Sequence, residues 1–320
     1  MATYNGARYL REQLDSFSSQ TRLPDELVIC DDSSTDNTLE IVREFAKKTA
    51  FIVRIYSNES RLRYAANFGR AIERCTGDLI ILSDQDDVWF PNKIERIEQV
   101  FIAAPSTWVI VNDAEITDDE LKDTGLTVAG QMFTAGLKID GLHFGCCMSF
   151  RAQLKPVLLP VPNNTHGHDS WINKLGQILG VRAFLPDVLQ YYRRHATNSS
   201  ESVTNSTRRA TRWGVEKAKI SRESRRIDPV IATNRRLVQR RVLKDRLESH
   251  ANYLSTLLAS DAVLLEAVIQ LDVQIKANEA RETIQKQRLW KRVFLAMHFY
   301  QSGGYRQFEG WKSLAKDVLR

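Results

Sequence analysis

From Ala7 to about Pro186 the chain alternates short β-rich runs with stretches of helical periodicity, a pattern that few folds accommodate. "LVIC" (Leu27–Cys30), "FIVRIY" (Phe51–Tyr56), "LIIL" (Leu79–Leu82) and "WVIVN" (Trp108–Asn112) read as strands, being rich in β-branched and aromatic residues. Between them apolar residues recur at helical spacing: Leu10, Leu14 and Phe17; Leu39, Val42 and Phe45; Phe68, Ile72 and Cys75; Ile94, Ile97 and Phe101. Each set lies on one face of a helix. The second helix follows "SSTD", a run of N-cap residues that gives Asp36 a capping role, and the fourth has Pro91 near its first turn. The expectation is an α/β fold whose mostly parallel sheet is covered on both faces. In such sheets ligands bind beyond the carboxyl ends of the strands, which is where "CDDSSTD" and "SDQDD" fall.

The chain opens "MATYNGARYL", with a loop and helix at once and no apolar strand ahead of them. The first strand is therefore expected to be missing or truncated, with the true start a few residues upstream of Met1. After about Thr197 the pattern changes. "TNSSESVTNSTRRATRWG" reads as a polar linker, and Val242, Leu247, Leu254, Leu257, Leu258, Leu264, Leu265, Val268 and Leu271 suggest a helical hairpin. The expected division is residues 1–200 as a catalytic domain and 201–320 as a basic helical region. Charge follows that division: residues 201–320 hold 24 Lys+Arg against 13 Asp+Glu, net +11, which leaves −5 for the first 200. Basic surface suits anionic lipid, nucleic acid or phosphorylated substrates, and charge alone does not choose. With 43% hydrophobic and 26% charged residues, the 320-residue chain has a soluble, globular composition. No apolar run approaches the roughly 18 residues of a membrane span, and no leader pattern opens the chain, so a cytoplasmic place is expected. Cys30, Cys75, Cys146 and Cys147 lack metal-ligand spacing and are expected reduced and buried, which makes the glycosylation match at Asn205 idle.

Three motifs carry chemistry. In "LIILSDQDDVWFPNK" the acids Asp84, Asp86 and Asp87 crowd the end of an apolar strand. Like charges so close raise each other's pKa, and a strand-end Asp-x-Asp can hold Mg²⁺ or Mn²⁺, which in turn neutralises a diphosphate. The alternative is a solvated turn capping the Pro91 helix. Asp31 and Asp32 stand at another strand end, where a carboxylate can accept the ring N–H of a pyrimidine. Asp169 in "HGHDSWINKL" begins a helix and is open to an N-cap reading, and His195 in "YYRRHATNS" ends the last strand.

Taken together, "ATYNGARYLREQLDSF", "LVICDDSSTDNTLEIV", "NESRLRYAANFGRAI" and "GDLIILSDQDDVWFPNKIE" resemble glycosyltransferase family 2, inverting nucleotide-sugar transferases of the GT-A fold. "SDQDDVW" is closest to the rhamnosyltransferase-like members that build bacterial surface polysaccharides. The resemblance runs from Ala2 to about Ser200. It implies Asp32 as the nucleobase contact, Thr3 as part of the nucleotide pocket, and Asn67 lining the donor site. It implies Asp84 and Asp86 as the pair holding metal and diphosphate, with His195 completing the metal site. Asp169 matches the general base, preceded here by His168 where the family carries an acid. Arg63 stands where related sequences have glycine, and its side chain can face the diphosphate.

The activity so implied is transfer of a sugar, with rhamnose the leading candidate, from a dTDP- or UDP-sugar to a glycan or lipid-linked glycan acceptor. An aspartate-nucleophile phosphatase is a rival, but "DQDDVW" offers only Val88 from the context that chemistry needs. A basic scaffold is the non-enzymatic rival; no zinc or nucleic-acid-binding motif supports a nucleic-acid partner. The C-terminal region is expected either to cap the catalytic domain or to sit peripherally on an anionic membrane surface. In the second case Trp290, Phe294 and Trp311 would enter the interface beside Arg288, Lys291, Arg292 and Lys312.

Overall fold

The computed structural model describes residues 1–163, 167–198, 203–217 and 229–319, in two compact units, Met1–Ala218 and Lys219–Arg320. In the first unit the chain runs β1 (Ala2–Thr3), α1 (Leu10–Ser18), β2 (Glu26–Asp31), α2 (Thr38–Ala46), β3 (Ile52–Ser57), α3 (Tyr64–Arg74) and β4 (Leu79–Ile81). It continues through β5 (Val88–Trp89), α4 (Lys93–Ala103), β6 (Val109–Thr117), β7 (Asp123–Thr127), α5 (Val128–Thr134), β8 (Met148–Arg151), α6 (Lys155–Leu158), α7 (His168–Ile178) and β9 (Arg182–Arg193), with a helix over residues 212–217 (α8). The four strands and four helices read from the sequence are all present. The opening strand is there as well, two residues long and parallel to β2, with the Met1 ammonium donating to Val28 O at 2.8 Å.

The strands form two sheets. β1, β2 and β3 are parallel throughout; the second sheet has the order β4-β8-β6-β9-β5, with β7 on β6. Among the described residues only β6 and β9 pair in parallel there, and the remaining pairings are antiparallel. The parallel character expected from the βα alternation therefore holds for the first sheet and for the β6–β9 pair. β5 and β8 span two and four residues, too short to show a strand pattern in sequence. β9 is twelve residues long: its first half continues the core beside β6, and its end reaches β5, with Val88 opposite Tyr191.

Packing fixes the acidic loop. Leu10, Leu14 and Phe17 of α1 bury their shared face against Leu27 and Ile29 of β2, Trp89 and Ile94. Phe17 meets Trp89 edge-on, with centroids 4.7 Å apart. Trp89, the last residue of "DQDDVW", thus anchors the loop; each buried side chain of this kind contributes about 1.5–3 kcal/mol. Ile97 and Phe101 of α4 pack with Ile110, Leu185 and Leu189. Residues 203–217 belong to this unit, and Gln131 ties their backbone to it: its Nε2 donates to Ser206 O and Arg208 O, and its Oε1 accepts from Ala210 N. The remainder of the polar stretch, residues 199–202, lies outside the described residues.

The second unit contains α9 (Pro229–Ser249), α10 (Ala251–Leu257), α11 (Asp261–Gln285), α12 (Leu289–Gln301) and α13 (Trp311–Leu319). α9 and α11 form the antiparallel hairpin expected, tied by Lys244–Asp272 and Arg241–Glu279 ion pairs. Leu247, Leu254, Leu264 and Leu271 face inward, but Leu265 does not, since one position along a helix turns a side chain by about 100°. Asp317 is fully buried and receives Arg281 Nε and Nη2, Gln285 Nε2 and the Tyr305 hydroxyl at 2.6–2.8 Å, which locks α13 to α11.

Candidate active site

The carboxyl ends of β2 and β4 carry the two acidic motifs. After β2, Asp31 accepts from the Thr3 hydroxyl, Ser34 N and the Ser34 hydroxyl, so Thr3 is buried and its hydroxyl spent within the loop. Asp32 accepts from Asn58 Nδ2 and Leu62 N on one oxygen and from Arg63 N on the other, at 2.7–2.8 Å. Asn67 is buried, donating to Cys30 O and accepting from Asn58 Nδ2. The structure therefore brings Thr3, Asp32, Asn67 and Arg63 into one region, but Thr3, Asp32 and Asn67 are all buried there, and both Asp32 oxygens are taken by Asn58, Leu62 and Arg63. Asp36, expected as a cap, accepts from Thr38 N two residues on, with Asn37 at the N-cap position itself.

Arg63 itself is exposed and has φ 69°, ψ 165°, a region essentially reserved for glycine. The departure from the family pattern is thus a backbone one: the loop keeps a glycine geometry with an arginine in it.

After β4, Asp84 is partly buried, and burial together with the charges of Asp86 and Asp169 pushes its pKa up to about 7. Asp86 Oδ2 lies 2.8 Å from His195 Nε2 and accepts from Asn198 Nδ2 at 3.1 Å. The His195 ring packs on Tyr9, centroids 4.6 Å apart. Asp87 is fully buried and committed to β9: its oxygens accept from Gln190 Nε2 and Arg193 N. Burial and the two neighbouring aspartates raise its pKa well above the usual carboxylate range. Ligand-capable atoms of Asp84, Asp87 and Cys146 fall within 4.8 Å of one another, a set the cysteine spacing did not reveal. A hydrogen bond to Cys147, and burial, keep the Cys146 thiol protonated. A protonated thiol and an aspartate tied to β9 suit a hard cation poorly, whereas the carboxylates of Asp84 and Asp86 offer the hard oxygens that Mg²⁺ or Mn²⁺ prefers.

Several residues that hold this loop were not singled out in the sequence. Arg193 is buried; it donates to Asp86 O and Asp119 O, pairs with Glu12, and lies 4.7 Å from the centroid of the Tyr9 ring. Lys93, also buried, donates to Cys146 O and Gln190 Oε1 and stands 4.3 Å over the Trp89 ring. On the other side Gln85 exchanges hydrogen bonds with the backbone of Tyr4, and a Cβ at Gly6 would come within 2.3 Å of Gln85 Oε1, so a larger residue there would have to shift the Gln85 amide. The available signals were the two arginines in "YYRRH" and a lysine on the apolar face of α4.

Asp169 lies inside the first turn of α7, not at the N-cap, which is Gly167; its Oδ1 accepts from Ser170 N at 2.7 Å. It is not the N-cap residue, but its carboxylate still satisfies one of the free N–H groups of the first turn. His168 is buried and stacked on Phe68, centroids 3.9 Å apart, and burial lowers its pKa to about 3. It stays neutral, with no hydrogen-bond partner for either ring nitrogen among the described residues. An open cleft of about 510 Å³ beside His195 is lined by Asp119, Arg194, Asn205, Ser206 and Thr207.

The first half of the chain is similar to known proteins. The family model "Glycosyl transferase family 2" matches residues 1–158. The dTDP-rhamnosyl transferase RfbG of Shigella flexneri is 40% identical over 100 residues, 30% of this chain and 35% of its own. The UDP-Glc:alpha-D-GlcNAc-diphosphoundecaprenol beta-1,3-glucosyltransferase WfgD of Escherichia coli is 27% identical over 146 residues, 46% of this chain and 56% of its own. The chain spans about half the length of the curated relatives it matches. Among solved structures, S. aureus TarS 1-349 in complex with UDP superposes with a TM-score of 0.56 at 15% identity, covering 96% of this chain and 87% of TarS 1-349. Through residues 1–158 the chain belongs to glycosyltransferase family 2, and it has the family's GT-A-like α/β fold with a C-terminal helical region.

Proposed function

We propose that the first unit transfers a sugar from a nucleoside diphosphate sugar to an acceptor hydroxyl, inverting the anomeric centre. The observation that carries this reading is the acidic loop after β4, where Asp84 and Asp86 crowd the strand end and Asp86 Oδ2 lies 2.8 Å from His195 Nε2. Asp84 and Asp86, with His195, hold Mg²⁺ or Mn²⁺; Asp87 is tied to β9 and so serves less well as a ligand. When bound, the ion offsets the charge of the departing diphosphate. Asp32 and the Thr3 loop position the nucleobase, and Arg63 faces the diphosphate. Asp169 takes the proton of the acceptor hydroxyl as its oxygen bonds to the anomeric carbon, and the bond from that carbon to the diphosphate oxygen breaks on the opposite face. Likeness to RfbG supports a dTDP-sugar, with rhamnose as the sugar, and likeness to WfgD supports a lipid-linked glycan acceptor.

The test uses UDP- and dTDP-sugars with Mn²⁺ or Mg²⁺. A ligand at about 100 times its Kd stabilises by about 2.7 kcal/mol, so the matching donor raises the melting temperature with cation present. Asp86→Ala should abolish that gain while leaving the smaller response in chelator. Asp169→Asn should melt and bind donor like the parent, yet turn over about 10²- to 10⁴-fold slower. Turnover of Asp169→Asn within about threefold of the parent removes Asp169 as the base.

A further inference from the structure

α12 presents an apolar face to solvent. Leu289, Trp290, Val293, Phe294, Met297 and Tyr300 are all exposed, Trp290 at 73% and Phe294 at 69%. At about 100° per residue these six fall within one arc of about 140°. Leu295, Ala296 and Phe299 occupy the other side, where Ala296 is buried and Phe299 meets Tyr305 with centroids 4.9 Å apart. The apolar face is therefore surplus to the packing of its own unit. A helix built this way exposes side chains that water disfavours by about 1.5–3 kcal/mol each, so it calls for an occupant.

Charge selects the occupant. From Lys286 to Lys316 the chain has seven Lys or Arg and one acid, Glu309. Lys291 and His298 border the apolar arc, and Arg288 stands at the N-cap of α12. A second copy would bring like charges together, whereas an anionic bilayer complements both halves of the surface. No described helix is long and apolar enough to cross a membrane, so α12 lies along a surface. α11 supplies the contrast. It also exposes Leu265, Ile269 and Val273, but it carries five acids against two bases, which an anionic surface repels.

We propose that α12 docks in the plane of an anionic membrane surface, with Trp290 and Phe294 at the boundary between headgroups and acyl chains and Arg288 and Lys291 on lipid phosphates. This assignment is independent of the catalytic reading. The probe is flotation of the full chain with vesicles of phosphatidylcholine alone or mixed with phosphatidylglycerol, at about 0.02 M and about 0.5 M salt. The protein should float with the mixed vesicles at low salt and be released at high salt. Trp290→Ser with Phe294→Ser should lower partitioning by at least about tenfold, and Lys291→Glu by about fivefold or more. Ile269→Ser should leave it unchanged. All these side chains are exposed, so each variant should melt with the parent. Failure of the parent to float at low salt, flotation of the double variant like the parent, or equal flotation on neutral vesicles would each overturn the proposal. So would a dimer, seen by sedimentation, that the double variant dissociates.

Discussion

Replacing Arg63 with glycine should make the protein more stable. At φ 69° and ψ 165° the Cβ of an L-residue is crowded by its own backbone, at a cost of about 1–3 kcal/mol. Glycine escapes that cost but gives up more chain entropy on folding, about 0.5–1 kcal/mol. The Arg63 side chain is exposed, so its loss forfeits little packing. The net expectation is about 0.5–2 kcal/mol of added stability for Arg63→Gly. Arg63→Ala is the control: it removes the same guanidinium but keeps the Cβ, and should sit within about 0.5 kcal/mol of the parent. Both variants retain the N–H that donates to Asp32. Urea unfolding of the donor-free proteins, with midpoints read at constant m, measures the difference. If Arg63→Gly is no more stable than Arg63→Ala, the strain argument is wrong. The same pair of variants separates backbone from side chain in function, because a guanidinium that meets the diphosphate is lost from both. Donor affinity should then fall alike in the two, by the roughly 1.5–3 kcal/mol of a charged hydrogen bond.

His168 predicts a pH dependence. Its folded pKa, about 3, lies below the unfolded value near 6.5, so the unfolded chain takes up a proton first as pH falls. Stability from this group is intact above about pH 6.5 and declines by about 1.4 kcal/mol per unit below it; His168→Phe should flatten that slope in urea titrations at pH 7 and 5.5. Arg193→Ala should cost about 2–3 kcal/mol and weaken Mn²⁺ binding by calorimetry although Arg193 is no ligand, since it holds the Asp86 carbonyl and Glu12; unchanged Mn²⁺ affinity would contradict that. Asp317→Ala leaves Arg281 buried without its partner and should destabilise the second unit by about 3–5 kcal/mol in denaturant unfolding.

The first half of the fold was legible because each element there is long enough to show its period. Leu27–Cys30 and the Leu10, Leu14, Phe17 stripe need no neighbours to be recognised. β5 and β8 become strands only by pairing with β9, β4 and β6, and nothing within two or four residues announces that. The carboxylates were visible by their crowding; what surrounds them was not. Arg193 reaches the loop from a strand distant in sequence, and Lys93, although close in sequence, turns inward to Cys146 and Gln190; a charged residue on an apolar face reads locally as an exposed one. Asn67 and Thr3, expected at the donor pocket, are buried and bonded to Cys30 O and Asp31, a commitment that a polar residue does not announce in sequence. Gly167 at the N-cap left Asp169 inside the turn, a two-residue shift in position that only cap geometry reveals.

β9 also sets an order of events during synthesis. Asp32, Asp84, Asp86 and Asp169 all leave the ribosome before Arg182, while Gln190, Arg193 and His195, which organise the acidic loop, leave after it. Until that strand has been made and has slid between β6 and β5, the nascent chain carries a cluster of aspartates with no clasp around it. Domains settle as units once their last element is available, and contacts this distant in sequence form slowly. The acidic loop therefore reaches its folded arrangement only after the closing strand docks.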